Sequence, residues 1–193
     1  MAWLAIMANT FTHESKTAMS LMFELASTLP ISASQAWQRA TTPEGINDEL
    51  FPWLRMTAPP AMRGKAIGEL PLGERLGRSW LLAFGMFPVD ADDIMLAEVG
   101  PGYRFKETSR MLSMRSWVHE RTVRDTPGGC EVHDRLTFVL RGPAAWLPGG
   151  GSAMAAVVKW LFRHRHLRLA RWARNAGRTE SAASPDNSKY FNE

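Results

Sequence analysis

The stretch Met154-Ala-Ala-Val-Val-Lys-Trp-Leu-Phe-Arg-His-Arg-His-Leu-Arg-Leu-Ala-Arg-Trp172 decides how this chain is read. At the helical period of about 3.6 residues, Met154, Val158, Leu161, Phe162, Leu169 and Trp172 gather on one arc, with Lys159, Arg163, His166 and Ala170 opposite. Arg165 projects from the middle of the apolar arc. A helix with so wide an apolar face has to be covered by a second layer of structure. A guanidinium at the centre of that face either snorkels to water or is met by an acid inside the covering layer. The helical wheel leaves both outcomes open.

Immediately upstream, the segments 115–125 and 130–141 flank the turn signal Thr126-Pro-Gly-Gly129. Pairing Asp125 with Cys130 puts Trp117 opposite Phe138, His119 opposite Leu136, Arg121 opposite Asp134 and Val123 opposite Val132 on one face. The other face sets Glu120 against Arg135, Arg124 against Glu131 and Thr122 against His133. Apolar pairs on one side and opposite charges on the other are the mark of a half-buried antiparallel hairpin. A slip of one residue brings Arg121 opposite Arg135 and is rejected. Pro127 suits a primed two-residue turn poorly, so a bulge is expected near the turn.

The rest of the chain reads as a succession of short elements. Ser20 to Thr28 has a strand composition, stopped by Leu29-Pro30. Ser32 and Gln35 form a capping box for a helix from Ala33 towards Arg39, and Thr42-Pro43-Glu44 opens a second short helix. Trp53 to Thr57 is a strand ended by Pro59-Pro60. Ala61 to Glu74 is a Gly- and Pro-rich loop with a short strand near Leu70. The apolar run from Arg78 to Val89 reads as a strand buried on both faces. Asp90 to Asp93 reads as a turn, followed by strands at 94–99 and 103–108. Gly142 to Ser152 connects to the closing helix, with Ser152 as its N-cap.

Composition narrows the function classes. The chain has 193 residues, 45% hydrophobic and 22% charged, enough for one core and one domain. Its formal charge of +4 is concentrated in 151–174, where Lys159, Arg163, Arg165, Arg168, Arg171 and Arg174 occur with no acid. That pattern excludes a general polyanion binder, so no DNA partner is expected. It leaves one local basic face, solvated or turned towards an acidic protein or RNA. Cys130 is the only cysteine, which fits a reducing, cytoplasmic setting and a small residue opening a strand. Residues 1–18 are apolar at first but too short to span a membrane and lack a signal's basic flank, so they read as a loosely ordered leader. Residues 175–193 are polar and aperiodic and read as a disordered tail. The domain is therefore expected at 19–174.

One strand, two small helices, a run of antiparallel strands and a long closing helix is the order of the helix-grip fold, an α+β architecture. The chain resembles the START-like superfamily, also called SRPBCC or polyketide cyclase and birch-pollen-allergen-like, common in bacterial proteins. The residues that carry the resemblance are Leu29-Pro-Ile-Ser-Ala-Ser-Gln-Ala-Trp37, Trp117-Val-His-Glu-Arg121, Gly128-Gly-Cys-Glu-Val-His-Asp134 and Leu161-Phe-Arg-His-Arg-His-Leu-Arg-Leu169, in that order. The resemblance implies a curved antiparallel sheet wrapped around the C-terminal helix, with a cavity between them for a hydrophobic or amphipathic small molecule.

On that fold and register, Trp117, His119, Arg121, Asp134, Leu136 and Phe138 take the concave face, opposite Leu161 and Arg165. Trp80 and Phe84, in register with Arg78, Leu82 and Met86, add to the cavity wall or simply to the core. His119, Arg121, Asp134 and Arg165 then form a polar cluster in an apolar interior, each arginine needing an acid nearby. The cluster is either a structural ion-pair tie or the place where Arg165 or Arg121 meets a ligand's carboxylate or ketone oxygen. His119 is the one candidate acid or base for a cyclase-like lyase or isomerase reaction. No metal is expected, since His119 and His133 face opposite ways and His164 and His166 are two apart on a helix. Neither a P-loop nor a dinucleotide fingerprint occurs, so no cofactor is expected.

Overall fold

The computed structural model describes residues 20–142 and 147–183. Strand β1 (Ser20–Leu29) leads into helix α1 (Ala33–Ala40), capped as the sequence predicts. The Gln35 N–H donates to Ser32 Oγ at 3.2 Å, and the Ser32 N–H donates to Gln35 Oε1 at 3.0 Å, so two otherwise orphaned donors are satisfied. Helix α2 (Pro43–Leu50) starts on Thr42, whose hydroxyl oxygen accepts from the Gly45 N–H at 3.1 Å. The corner between the two helices is tight. A Cβ on Gly45 would stand 1.7 Å from the Arg39 carbonyl oxygen, so only glycine fits there, and it fixes where Glu49, one turn on, is carried.

After β2 (Leu54–Met56), the connection holds two single 3₁₀ turns, Pro60–Met62 and Ile67–Glu69, in place of the short strand expected near Leu70. Then come β3 (Arg75–Ala83), β4 (Phe87–Gly100), β5 (Tyr103–Met111), β6 (Met114–Thr126), β7 (Gly129–Leu140) and the long helix α3 (Gly150–Ala183). The seven strands form one sheet in the order β1-β7-β6-β5-β4-β3-β2, antiparallel throughout. The sheet curls around α3 with α1 and α2 beside it, and this is the helix-grip fold.

The β6–β7 register is the predicted one, from Trp117 opposite Phe138 to Asp125 opposite Cys130. The expected bulge near the turn is absent. Thr126 pairs with Gly129 across Pro127-Gly128, and Gly128 has φ 86°, so Pro at the first and a positive-φ glycine at the second central position meet the demands of a type II turn. The irregularity falls instead at the far end, between Met114 and Ser116.

Three other expectations are corrected. The run from Arg78 to Val89 is not one strand buried on both faces: it turns at 84–86, where Phe84 (φ 51°) and Gly85 (φ 75°) both take left-handed backbone. Asp90 to Asp93 is not a turn but part of β4. Its acids are used inside the fold: Asp90 accepts the Leu112 and Ser113 N–H groups and the Ser113 hydroxyl at the β5–β6 turn, and Asp93 pairs with Arg78 at 2.8 Å. Ser152 is not the N-cap, because α3 already begins at Gly150. That helix also runs to Ala183, beyond Arg174. Residues 184–193 and the leader expected at 1–18 lie outside the described residues.

The core is divided. Leu29, Ala33, Ala36, Cys130, Val132, Leu169 and Ala173 pack α1 against β7 and α3. Trp117, Leu136 and Phe138 pack against Val158 and Phe162 of α3. Leu70, Leu76, Ile94, Leu96 and Phe105 line the sheet under the 57–70 connection. A polar centre and a cavity occupy the space these three leave.

Candidate functional site

Alternation along β6 and β7 turns His119, Arg121 and Asp134 inward together. The Arg121 fork lies on Asp134, Nε donating to Oδ1 and Nη2 to Oδ2, each at 2.7 Å. Asp134 accepts twice more, from His119 Nε2 and from His166 Nε2, both at 2.9 Å. Because a carboxylate only accepts, both histidines carry their proton on Nε2. His166 Nδ1 is in turn 2.9 Å from the Ser27 hydroxyl of β1.

Glu49 joins the two arginines. Arg121 Nη1 donates to its Oε1 at 3.1 Å, and Arg165 donates to its Oε2 from Nε at 2.9 Å and from Nη2 at 2.8 Å. Arg121 and Asp134 are wholly buried, Glu49 is 1% exposed and Arg165 8%. Burial pushes the Asp134 carboxyl up, but Arg121 and then His119 outweigh it and hold the group well below the usual carboxylate range. Burial likewise works against the Arg121 charge, and Asp134 and Glu49 more than restore it. The network thus ties β1, α2, β6, β7 and α3 through charge-assisted bonds.

Beside this network is a cavity of about 110 Å³ between α1–α2, the 57–70 connection and strands β3–β6. Ile46, Met62, Ile67, Leu76, Leu96 and Phe105 supply apolar wall, the exposed Lys65 stands at its rim, and the buried His119 and Arg165 and the partly buried Glu107 are polar groups of its lining. His119 Nδ1 lies 4.0 Å from Glu107 Oε2. Ser109 Oγ donates to Glu107 Oε1 at 2.8 Å. Asp92, on the neighbouring strand, faces Glu107 and Ser109. Burial first, and then the charge of Glu107, pushes its carboxyl up to about 9. Asp92 therefore keeps its proton at neutral pH, while its Oδ1 is buried without a hydrogen-bond partner.

Of the residues singled out from sequence, His119 and Arg165 border the cavity. Arg121 and Asp134 sit behind His119. Trp117, Leu136 and Phe138 are buried in the core against Phe162, Trp117 with ring centroids 6.0 Å from Phe138 and 6.1 Å from Phe162, and none of the three borders the cavity. Leu161 is half-buried on the flank of α3. Trp80 and Phe84 are corrected. Trp80 is 42% exposed on the outer face of β3 with the Arg78–Asp93 pair, and Phe84 is 60% exposed at the β3–β4 turn against Trp53. The inward parity of β3 belongs to Leu76 and Ser79, because Gly77 bulges the strand against β4 and resets its alternation.

His166 is corrected as well. The wheel assigns it to the solvent side of α3, yet it is 3% exposed. The buried stripe is Val158, Phe162, Arg165, His166, Leu169 and Ala173, rotated from the arc that the apolar residues alone define. Glu49, Asp92 and Glu107 escape sequence reasoning altogether. For Glu49 a signal exists, since Arg165 requires an acid, but nothing local says which. Lys159, Arg163, Arg171 and Arg174 are exposed, as the basic face requires. Among the described residues, no helix is long and apolar enough to cross a membrane.

Solved structures with this architecture include the ZhuI aromatase/cyclase from Streptomyces sp. R1128, at TM-score 0.59 and 12% identity, covering 81% of this chain and 94% of that one. A START superfamily protein from Mycobacterium smegmatis aligns at TM-score 0.57 and 9% identity, over 80% and 98% of the two chains. Ara h 8.0201 aligns at TM-score 0.57 and 13% identity, over 81% and 99%. At these identities the likeness is one of fold, and it places the chain on the START-like, birch-pollen-allergen-like helix-grip scaffold. No curated protein matches it by sequence. Residues 27–173 match the family described as Domain of unknown function (DUF8410), and the chain belongs to that family.

Proposed function

We propose that residues 19–174 form a binding domain for a hydrophobic or amphipathic small molecule, held in the cavity that Glu107, His119 and Arg165 close at its inner end. The observation that carries this reading is the meeting of an apolar wall with the polar groups of Glu107, His119 and Arg165 in one concave space. An apolar cavity of about 150 Å³ in another protein takes up benzene, so the space here suits roughly one small ring, with room for the ligand to extend past Lys65. The likeness in fold to a START superfamily protein and to an aromatase/cyclase supports a small-molecule role for the scaffold. The ion-pair network is then the rigid floor of the site, and the cavity lies against β3–β5 and α2 more than against α3.

Native mass spectrometry of protein purified from its host tests the proposal. A co-purifying organic mass is expected, and it is lost in Met62→Trp, which fills the cavity from the connection without touching the ion pairs. Repeated empty preparations, or a ligand retained by Met62→Trp, would count against the reading. A cyclase-like lyase or isomerase is the second reading, and one observation favours it: Asp134 holds His119 by Nε2, leaving Nδ1 turned towards the cavity and Glu107. A His119→Ala variant that turns over a cyclic ketone or polyketide as well as wild type would exclude His119 as the acid or base.

A further inference from the structure

The cavity's polar end carries more information than its presence. Arg121 has its Nε, Nη1 and Nη2 groups on Asp134 and Glu49, and Arg165 has Nε and Nη2 on Glu49. Two cations are therefore already matched by two carboxylates, and neither arginine is an open clamp for a further anion. Glu107 stands differently. Among the described residues its neighbour at ion-pair distance is His119, at the loose separation of 4.0 Å, and its other support is the Ser109 hydroxyl and the protonated Asp92. Glu107 thus brings an unmatched negative charge to the inner end of the cavity.

Resting on the binding reading above, we infer that the ligand's polar end is a hydrogen-bond donor, a hydroxyl or an amine and not a carboxylate, seated against Glu107 Oε2 beside His119 Nδ1. Both atoms accept, since His119 carries its proton on Nε2, so a hydroxyl donates its one hydrogen to Glu107, and an ammonium reaches both atoms across the gap of 4.0 Å. A carboxylate at the same place meets Glu107 as a like charge in a poorly solvated site. The carboxylate suggested by the two arginines in the sequence is therefore disfavoured by what the arginines already hold.

The test titrates the full chain with four probes that share one ring, benzene, phenol, benzoate and benzylamine, followed by backbone amide chemical shifts of cavity residues. Phenol and benzylamine are each expected to bind about tenfold tighter than benzene, and benzoate more weakly than phenol by at least as much. Glu107→Gln is expected to narrow the gap between phenol and benzoate by about tenfold and to leave benzene unchanged. Benzoate bound as tightly as phenol, or phenol and benzylamine bound no more tightly than benzene, overturns the donor assignment and leaves the binding site standing. No saturable binding of any of the four overturns both. The wild-type ranking decides the matter even if the variant fails to fold.

Discussion

Replacing Glu49 by Gln keeps the shape of the side chain and removes the charge that Arg121 and Arg165 share. Arg121 retains its fork on Asp134, so the loss falls mainly on Arg165, which is 8% exposed and has Glu49 as its carboxylate partner. Removing one partner of a buried pair costs about 3–5 kcal/mol, because the surviving charge stays desolvated. With a urea slope of about 2 kcal/mol per molar, the unfolding midpoint should fall by about 2 M. Adding Arg165→Met removes the stranded charge and should restore at least half of that loss, since a buried ion pair replaced on both sides by neutral groups is often close to neutral in stability. The assay is equilibrium urea unfolding of wild type, both single variants and the double variant at pH 7, read as a double-mutant cycle. A midpoint shift below about 0.5 M for Glu49→Gln, or strictly additive losses in the double variant, would refute the claim that Glu49 bridges the arginines out of reach of solvent.

Four further outcomes follow from the same geometry. Asp92 titrates near 9 in the folded chain against an ordinary value of 3.8, so its contribution to stability is whole below about pH 4 and is lost as the pH rises towards 9. Asp92→Asn should flatten this decline, whose slope is at most about 1.4 kcal/mol per pH unit, in urea midpoints measured from pH 5 to 9. Asp134 has the opposite sign: its folded value is depressed, so its stabilisation is present above about pH 4 and lost on acidification. Asp134→Asn should cost about 3–5 kcal/mol at pH 7, with a gap from wild type that narrows below pH 4. Gly45→Ala should open the α1–α2 corner through its 1.7 Å clash with the Arg39 carbonyl and lower stability by more than about 2 kcal/mol, whereas an unchanged thermal midpoint would mean the corner yields freely. Replacing Arg163, Arg171 and Arg174 together by Glu should leave phenol binding unchanged within about twofold, because all three are exposed on the outer side of α3; loss of binding would place the site elsewhere.

Interactions between near neighbours in the chain are legible in the sequence directly. The caps of α1 and α2 are set by side chains three residues from the amides they serve, and both form as predicted. The β6–β7 register is written in cross-strand complementarity around a two-residue turn, and a slip would turn every apolar side chain to water, so the pairing of Arg121 with Asp134 follows from the residues alone. The order of elements then suffices for the helix-grip fold. The need for an acid near Arg165 is also legible, because a charge on an apolar helix face has few escapes.

Which acid that is, and where the cavity opens, are matters of tertiary structure. Glu49 lies 116 residues from Arg165, on a short helix where nothing local distinguishes it from a solvated glutamate. Its burial is set by the Gly45 corner and by how α2 docks on α3. His166 looks solvated on a wheel because the wheel centres a helix on its apolar residues, whereas the sheet grips α3 along a stripe that also includes Arg165 and His166. Alternation assigns Trp80 and Phe84 inward, but the bulge at Gly77 resets the parity of β3 and the turn at 84–86 ends it. Asp92 and Glu107 meet only because β4 and β5 lie side by side in the sheet. Each of these depends on free energies shared between segments far apart in the chain, which no window of neighbouring residues contains.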